Sequence, residues 1–421
     1  MPPEQPFTTA PHDRISALRH RDFRLVMLSR FTATLGERMV GVALGWEIYE
    51  RTKDAFFLGL VGLVQVLPVI LLSLFAGHVA DRYNRKYIVL FTQLGLGIFS
   101  LGLAALSYTN GSLLLVYICL FMFGVMRAFN DPASSTLMAQ SVPPEAFGNA
   151  AAWSSSAWQV ASVVGPALGG VLIGFFKTGA EVFLINAISC GIFAMAVAFM
   201  RLRPIAQSTE RATWNSMLAG FRFLKETRVL LAAITLDLFA VLFGGAVALL
   251  PIYATDILHV GAEGLGWLQS AQSVGAIAMA GIMMLLPPMR RAGRTLLIAV
   301  AGFGVATIIF GISTNFILSL FMLALLGALD HISVVVRTTL TLTRVPDEMR
   351  GRVAAVNGVF VGASNELGGF ESGAVAQFGK SFLGTVGGTM FAVVSGGVAT
   401  VLVVLAVAKK WPEMRRLGRL E

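Results

Sequence analysis

Apolar residues in this chain run in long blocks separated by short polar breaks, rather than alternating at the period of an amphipathic helix or a half-buried strand. Twelve blocks are long enough to cross a hydrocarbon core of about 30 Å, which takes about 20 mostly apolar helical residues. They fall at 23–48, 56–79, 87–107, 113–137, 149–175 and 181–200, then at 229–254, 264–286, 295–313, 316–340, 353–378 and 382–408. This pattern predicts an all-α polytopic membrane protein of twelve transmembrane helices. Residues 1–22 form an N-terminal segment, 23–200 and 229–408 two six-helix bundles, 201–228 a linker and 409–421 a basic tail.

Composition agrees, with 56% hydrophobic and 13% charged residues, where soluble proteins carry roughly 25% charged. Cys119 and Cys190 both lie inside apolar blocks and are expected as small core residues, not a disulfide. The first 22 residues are polar, Pro-rich and basic, unlike a cleavable signal peptide. A net charge of +9 raises the question of a nucleic-acid partner, but the distribution of the charge argues against one. With a cytoplasmic N-terminus, and with Arg24 and Arg337 near the inner ends of their spans counted as inside, 25 of the 32 Lys and Arg fall inside and four in outside loops; Arg30, Arg38 and Arg127 lie deeper within spans. That asymmetry expects both termini inside, with basic clusters meeting anionic lipid. In the linker, Trp214, Met217, Leu218, Phe221 and Leu224 recur at helical spacing opposite Arg222 and Lys225, which suits a helix on the inner membrane surface; a solvated linker is the alternative. Trp411, Met414 and Leu417 beside Lys409, Lys410, Arg415 and Arg416 suggest that the tail also rests on headgroups.

The two halves repeat at an offset of 203 residues. Val142-Pro143-Pro144-Glu145 returns as Val345-Pro346-Asp347-Glu348, and Gly124, Gly148, Gly165 and Gly170 fall on Gly327, Gly351, Gly368 and Gly373. An even six-span unit copied in tandem keeps its orientation, which predicts parallel repeats and a site between them near the midplane. After span two stands Gly77-His78-Val79-Ala80-Asp81-Arg82-Tyr83-Asn84-Arg85-Lys86. It resembles the signature loop of the Major Facilitator Superfamily, with Asn84 where the family has Gly. Asn tolerates left-handed backbone best after Gly, so the turn is expected to survive. Gly165-Pro166-Ala167-Leu168-Gly169-Gly170 in span five resembles the antiporter signature of exporters in that superfamily, though Ala161 stands where the longer signature has Gly. Tight packing and a proline bend are what those residues supply physically, and packing alone is the alternative reading. Phe23-Arg24-Leu25, Arg127-Ala128-Phe129-Asn130-Asp131-Pro132-Ala133 and Val345 to Arg352 resemble the branch of enterobactin exporters and macrolide efflux pumps. The resemblance implies export of a siderophore or drug, and gating by Gly77, Asp81, Arg82, Arg85 and Lys86 at the inner ends of spans two and eleven.

Charges within spans are costly, at about 2.5–3.5 kcal/mol each on insertion scales, and face a cavity or one another. At about 1.5 Å per helical residue, Glu37 and Arg127 lie about 20 and 18 Å from the cytoplasmic ends and are expected to meet at mid-membrane. Arg30 and Asp131 suggest a second pair nearer the cytoplasm, and Arg38 is turned about 100° away from Glu37. Asp237, Asp330 with His331 beside it, and Glu366 complete the buried acids. A carboxylate beside a movable Arg can exchange that cation for a proton, which makes Glu37 and then Asp330 the expected coupling groups. A static ion pair is the alternative for each. Trp153, Trp158, Phe129 and Phe243 are candidates to stack on a flat cargo, or simply to pack.

No phosphate loop, nucleophile elbow or metal-spaced cysteine pair occurs, so neither enzyme chemistry, a cofactor nor a metal is expected. The expected partners are a small-molecule substrate, protons and membrane lipids, with one chain, a monomer, holding both halves of the pathway. The expected function is proton-driven export by alternating access. Uptake or lipid flipping on the same fold, and a non-transporting sensor, are its rivals.

Overall fold

Side chains in the polar breaks cap the starts of several helices. The computed structural model describes residues 15–200, 221–287, 289 and 291–418. Its first half contains α1 (Arg21–Thr52), α2 (Ala55–Arg82), α3 (Arg85–Tyr108), α4 (Leu113–Gln140), α5 (Phe147–Phe176) and α6 (Ala180–Ala198). Asp54, Asn84 and Ser112 cap α2, α3 and α4 by accepting hydrogen bonds from the amides of Phe56, Lys86 and Leu114 at 2.9, 3.0 and 3.3 Å. Asn84 is therefore a cap in extended backbone (φ −67°, ψ 115°), not the left-handed residue expected in its place. Its side chain, not its backbone freedom, makes the turn.

The second half contains α7 (Arg228–Phe243), α8 (Gly261–Leu285), α9 (Ala292–Ile312), α10 (Phe316–Arg344) and α11 (Asp347–Lys410), followed by the short α12 (Pro412–Arg416). The expected seventh span, 229–254, is interrupted: α7 stops at Phe243 and continues through a 3-10 stretch, Gly245–Leu249, and a π stretch, Tyr253–Ile257. Two features account for this. Gly244 and Gly245 bring the backbone against Phe303 and against α11 at Gly368, and Pro251 cannot donate a helical hydrogen bond. The 64 residues of α11 form two legs that reverse at Gly384 (φ 73°, ψ 178°), a conformation essentially confined to glycine. The turn comes later than the expected break at 379–381 because the helix continues until that glycine. Among the described residues, ten helical segments are long and apolar enough to cross a membrane. One of them, Met349–Lys410, holds two crossings, and α1 adds another despite its charges, making twelve.

Within the first half α3 packs on α6 and α4, and α1 on α5 and α6; within the second half α8 and α9 pack on α10, and α7 and α9 on α11. The halves join along two seams, α2 against α11 and α5 against α8. Glycines set both. A Cβ on Gly170 would lie 2.9 Å from Gly266 Cα, and a Cβ on Gly373 would lie 3.0 Å from Gly59 Cα. Gly170 and Gly373 are repeat-related, so the seams are two copies of one contact.

Both crossings lie at the end of the bundle away from the chain termini, called here the distal end. There, one continuous apolar core unites the halves, running from Met39, Tyr49 and Leu58 to Leu249, Tyr253 and Leu265. At the terminal end the cores separate. Val26, Val89, Leu137 and Phe193 cluster within the first half, whereas Leu230, Leu296, Leu340 and Val407 cluster within the second. The halves are thus sealed distally and parted terminally.

The tail departs from expectation. Met414 is fully buried and Leu417 nearly so, with the Gly418 carbonyl accepting from Ala292 N at 3.2 Å, so these residues dock on α9 instead of facing headgroups. In the linker, Phe221 stacks on Phe360 at 6.5 Å and Leu224 is buried. The rest of the expected surface helix, including Trp214, Met217 and Leu218, lies outside the described residues.

Candidate functional site

A cavity of about 610 Å³ lies between the halves. Two helical stripes build nearly half of its wall. On α1 the lining residues are Arg30, Ala33, Thr34, Glu37, Arg38, Val40, Gly41 and Leu44; on α4 they are Phe123, Arg127, Asn130, Asp131 and Ser134. Spacings of three, four and seven place each set on one face of its helix. The second half contributes Gln269, Gln272 and Ser273 from α8, Val247 from the interrupted part of the seventh crossing, and Glu366 from α11.

Glu37 and Arg127 meet as expected, with Arg127 Nη2 3.3 Å from Glu37 Oε1. Their side chains remain 49% and 40% accessible, so this mid-span ion pair faces open space and not packed protein. Arg30 and Asp131 line the same cavity towards its terminal end, but among the described residues they do not close into a direct ion pair. Arg38 also lines the cavity. Its guanidinium carbon sits 5.1 Å above the Trp158 ring, and Trp158 is itself a wall residue. Asn130 is held in place by Thr92 Oγ1 and Gln93 Nε2, donating at 3.1 and 3.2 Å.

Asp237 and Asp330 lie elsewhere. Asp237 pairs with Arg337 at 2.6 Å, with side chains 5% and 9% accessible, bridging α7 and α10 inside the second half. Asp237 and Asp330 border a separate void of only about 10 Å³, at the lower limit for one water. The 203-residue offset sets Asp237 and Asp330 opposite Thr34 and Arg127, which both line the shared cavity, yet the two acids border a void inside the second half, so the halves do not line the cavity alike. Arg337 escaped notice because it sits near the end of an apolar block and reads as a topology charge. Its position two helical turns after Asp330 is the signal that would have found it.

The loop after α2 makes its described contacts within its own half. Lys86 Nζ donates to the carbonyls of Ala198 and Met200 at 2.8 and 2.9 Å, capping the end of α6 within its own half. Arg82 is exposed and Arg85 half-buried. Among the described residues nothing approaches within 4 Å of where a Gly77 Cβ would stand, because the halves are parted at this end. The side chain of Asp81 lies outside the described residues. In α5, Gly165 and Gly169 allow contact with Arg38 and Met39 of α1, Gly170 makes the seam with α8, and Pro166 lines the cavity. Of the other aromatic candidates, Phe129 packs edge-on against Phe75, Phe243 stacks on Phe239, and Trp153 packs in an apolar cluster near Phe23.

The distal closure carries polar contacts between the halves that the sequence reading did not single out. The Tyr49 hydroxyl donates to Asp256 Oδ2, and Lys53 Nζ lies 5.0 Å over the Tyr49 ring. Lys380 Nζ stands 3.8 Å from Asp54 Oδ2 and donates to the Lys53 carbonyl at 3.4 Å. Beneath them Glu47 pairs with Arg51 and accepts from Ser107 Oγ at 2.7 Å.

Residues 26–369 match the family model of the Major Facilitator Superfamily. The chain belongs to the Major Facilitator Superfamily. It is therefore a multi-pass membrane transporter and not an enzyme. It is 28% identical over 405 residues to the enterobactin exporter EntS of Citrobacter koseri, covering 94% of this chain and 93% of that protein. The EntS of Shigella flexneri is also 28% identical, over 385 residues, covering 90% and 88%. Solved structures support the fold. A bacterial homologue of the lysosomal transporter Spinster, inward-facing and occupied, aligns with a TM-score of 0.74 at 14% identity over 94% of this chain and 98% of that one. The nucleoside transporter NupG aligns with a TM-score of 0.72 at 13% identity over 93% and 99%.

Proposed function

We propose that this Major Facilitator transporter exports a small amphipathic molecule, siderophore-like or drug-like, across a bacterial inner membrane in exchange for protons. Both termini face the cytoplasm in this reading. The sealed distal end is then the periplasmic side, and the parted end admits cargo from within. The observation that carries the proposal is the Glu37–Arg127 pair, half-open to a cavity between the two bundles. Its similarity to exporters of a siderophore supports the direction.

The cavity contains three arginines, Arg30, Arg38 and Arg127, and three acids, Glu37, Asp131 and Glu366. A carboxylate left without its cation in a low-dielectric cavity takes up a proton, and one that regains the cation releases it. Coupling follows from which group Arg127 serves. Cargo that engages Asp131 or Glu366 frees Arg127 to return to Glu37, so cargo and proton exclude one another and antiport results. Cargo that draws Arg127 to itself leaves Glu37 to bind a proton alongside it, which is symport and corresponds to uptake. Asp237, Asp330 and Arg337 act as an internal brace in this scheme, and Arg82, Arg85 and Lys86 shape the inner loops.

The two modes differ in sign. For antiport, lowering the pH weakens cargo binding to the purified transporter; for symport it strengthens binding. A binding panel of siderophores and macrolides at several pH values therefore tests the proposal, and tighter binding at acid pH overturns export by proton exchange.

A further inference from the structure

Three acids share the cavity with Arg127: Glu37, Asp131 and Glu366. Glu37 and Asp131 belong to α1 and α4, in the same bundle as Arg127. Glu366 belongs to α11, in the other bundle. When the halves rock against each other, the separation from Glu37 and Asp131 is carried along unchanged to first order. The separation from Glu366 is not.

The approach of Glu366 is built into the packing. It faces Gly62 of α2, where an added Cβ would collide with Glu366 Oε2 and lie 3.3 Å from the Glu366 carbonyl oxygen. The absent side chain opens a slot through which the carboxylate of one bundle enters the wall of the other. One turn nearer the distal end, the Gly59–Gly373 contact holds the two backbones together and fixes the position of that slot. The charged groups lining the cavity around Glu366 are Arg30, Arg38 and Glu37 on α1 and Arg127 and Asp131 on α4, whereas α2 and α8 present Gln65, Gln269 and Gln272.

We infer that Glu366 is the cross-bundle positioning acid that draws Arg127 away from Glu37, so that movement of the bundles and protonation of Glu37 are tied through it. This rests on the proton-coupling reading of Glu37 given above. In the inward-open arrangement Arg127 lies on Glu37; a change that brings Glu366 closer strips Glu37 of its cation and charges it with a proton. The Gly62 slot sets how near Glu366 can come.

The test is ligand-free. Infrared difference spectra of the full chain in proteoliposomes, recorded as pH is lowered, read the carbonyl stretch of protonated carboxyl groups. Wild type is expected to show a band that Glu37→Gln removes. In Glu366→Gln, which keeps the shape of the side chain, Arg127 has no cross-bundle partner. The Glu37 band is then expected to need at least about tenfold more protons, one pH unit, to reach half-height. Gly62→Ala, which narrows the slot but keeps the acid, is expected to shift the band in the same direction; thermal melting shows whether each variant is folded. An unshifted Glu37 band in folded Glu366→Gln overturns this inference alone. A wild-type spectrum without any Glu37-dependent band overturns both it and the coupling reading.

Discussion

Removing Arg337 should destabilise the protein far more than removing Glu37, although both belong to intramembrane ion pairs. Arg337 and Asp237 are under 10% accessible and 2.6 Å apart, and the nearby void of about 10 Å³ leaves room for at most one water. Arg337→Met therefore strands a buried carboxylate, which costs about 3–5 kcal/mol. The double variant Asp237→Leu/Arg337→Met removes both charges and should recover most of that loss, since apolar replacement of a whole buried pair is often close to neutral. Glu37→Gln should cost under about 1 kcal/mol, because its pair is 40–49% accessible and water solvates the remaining guanidinium. Denaturant unfolding in detergent, followed by tryptophan fluorescence, measures all three. A single variant Arg337→Met as stable as wild type, or a double variant worse than the single, refutes the reasoning that this pair is a dry brace within one bundle.

Two further outcomes concern the distal closure. Tyr49→Phe with Lys380→Ala removes the Tyr49–Asp256 hydrogen bond and the Lys380 contacts with Asp54 and the Lys53 carbonyl; such hydrogen bonds and partly exposed ion pairs contribute about 1 kcal/mol each. A several-fold rise in labelling of Val247→Cys, in a background without Cys119 and Cys190, by an impermeant thiol reagent added from the distal side checks it. Gly266→Leu should act more strongly, because even a Cβ there lies 3.0 Å from Gly170 Cα and forces the α5–α8 seam apart. Its expected signature is distal labelling with loss of transport, and a fully active Gly266→Leu protein would show that the seam does not need close backbone contact.

The fold was legible because apolar length, basic asymmetry and a 203-residue repeat are one-dimensional signals. The Glu37–Arg127 contact was legible for the same reason, since counting from one membrane face, forward along α1 and backward along α4, places the two residues at similar depth. Interruptions were less legible. The break after Phe243 depends on Gly368 of a distant helix pressing on Gly245, and the reversal at Gly384 depends on which of several glycines carries the positive φ. Asp330 stands where the repeat puts Arg127 but borders a void inside its own half, because the two halves contribute unequally to the cavity and the repeat does not encode that difference. The Lys86 amine ends on the α6 carbonyls, a contact fixed by tertiary packing that the loop motif alone does not reveal.

The central claim is that Glu37 exchanges Arg127 for a proton while the cavity opens alternately to the two sides. The most direct measurement uses proteoliposomes loaded with a siderophore or macrolide that wild type moves uphill under an imposed pH gradient. Glu37→Gln should still let that cargo run down its own concentration gradient but should lose the pH-driven uphill component. Undiminished uphill movement by a folded Glu37→Gln protein would contradict the account.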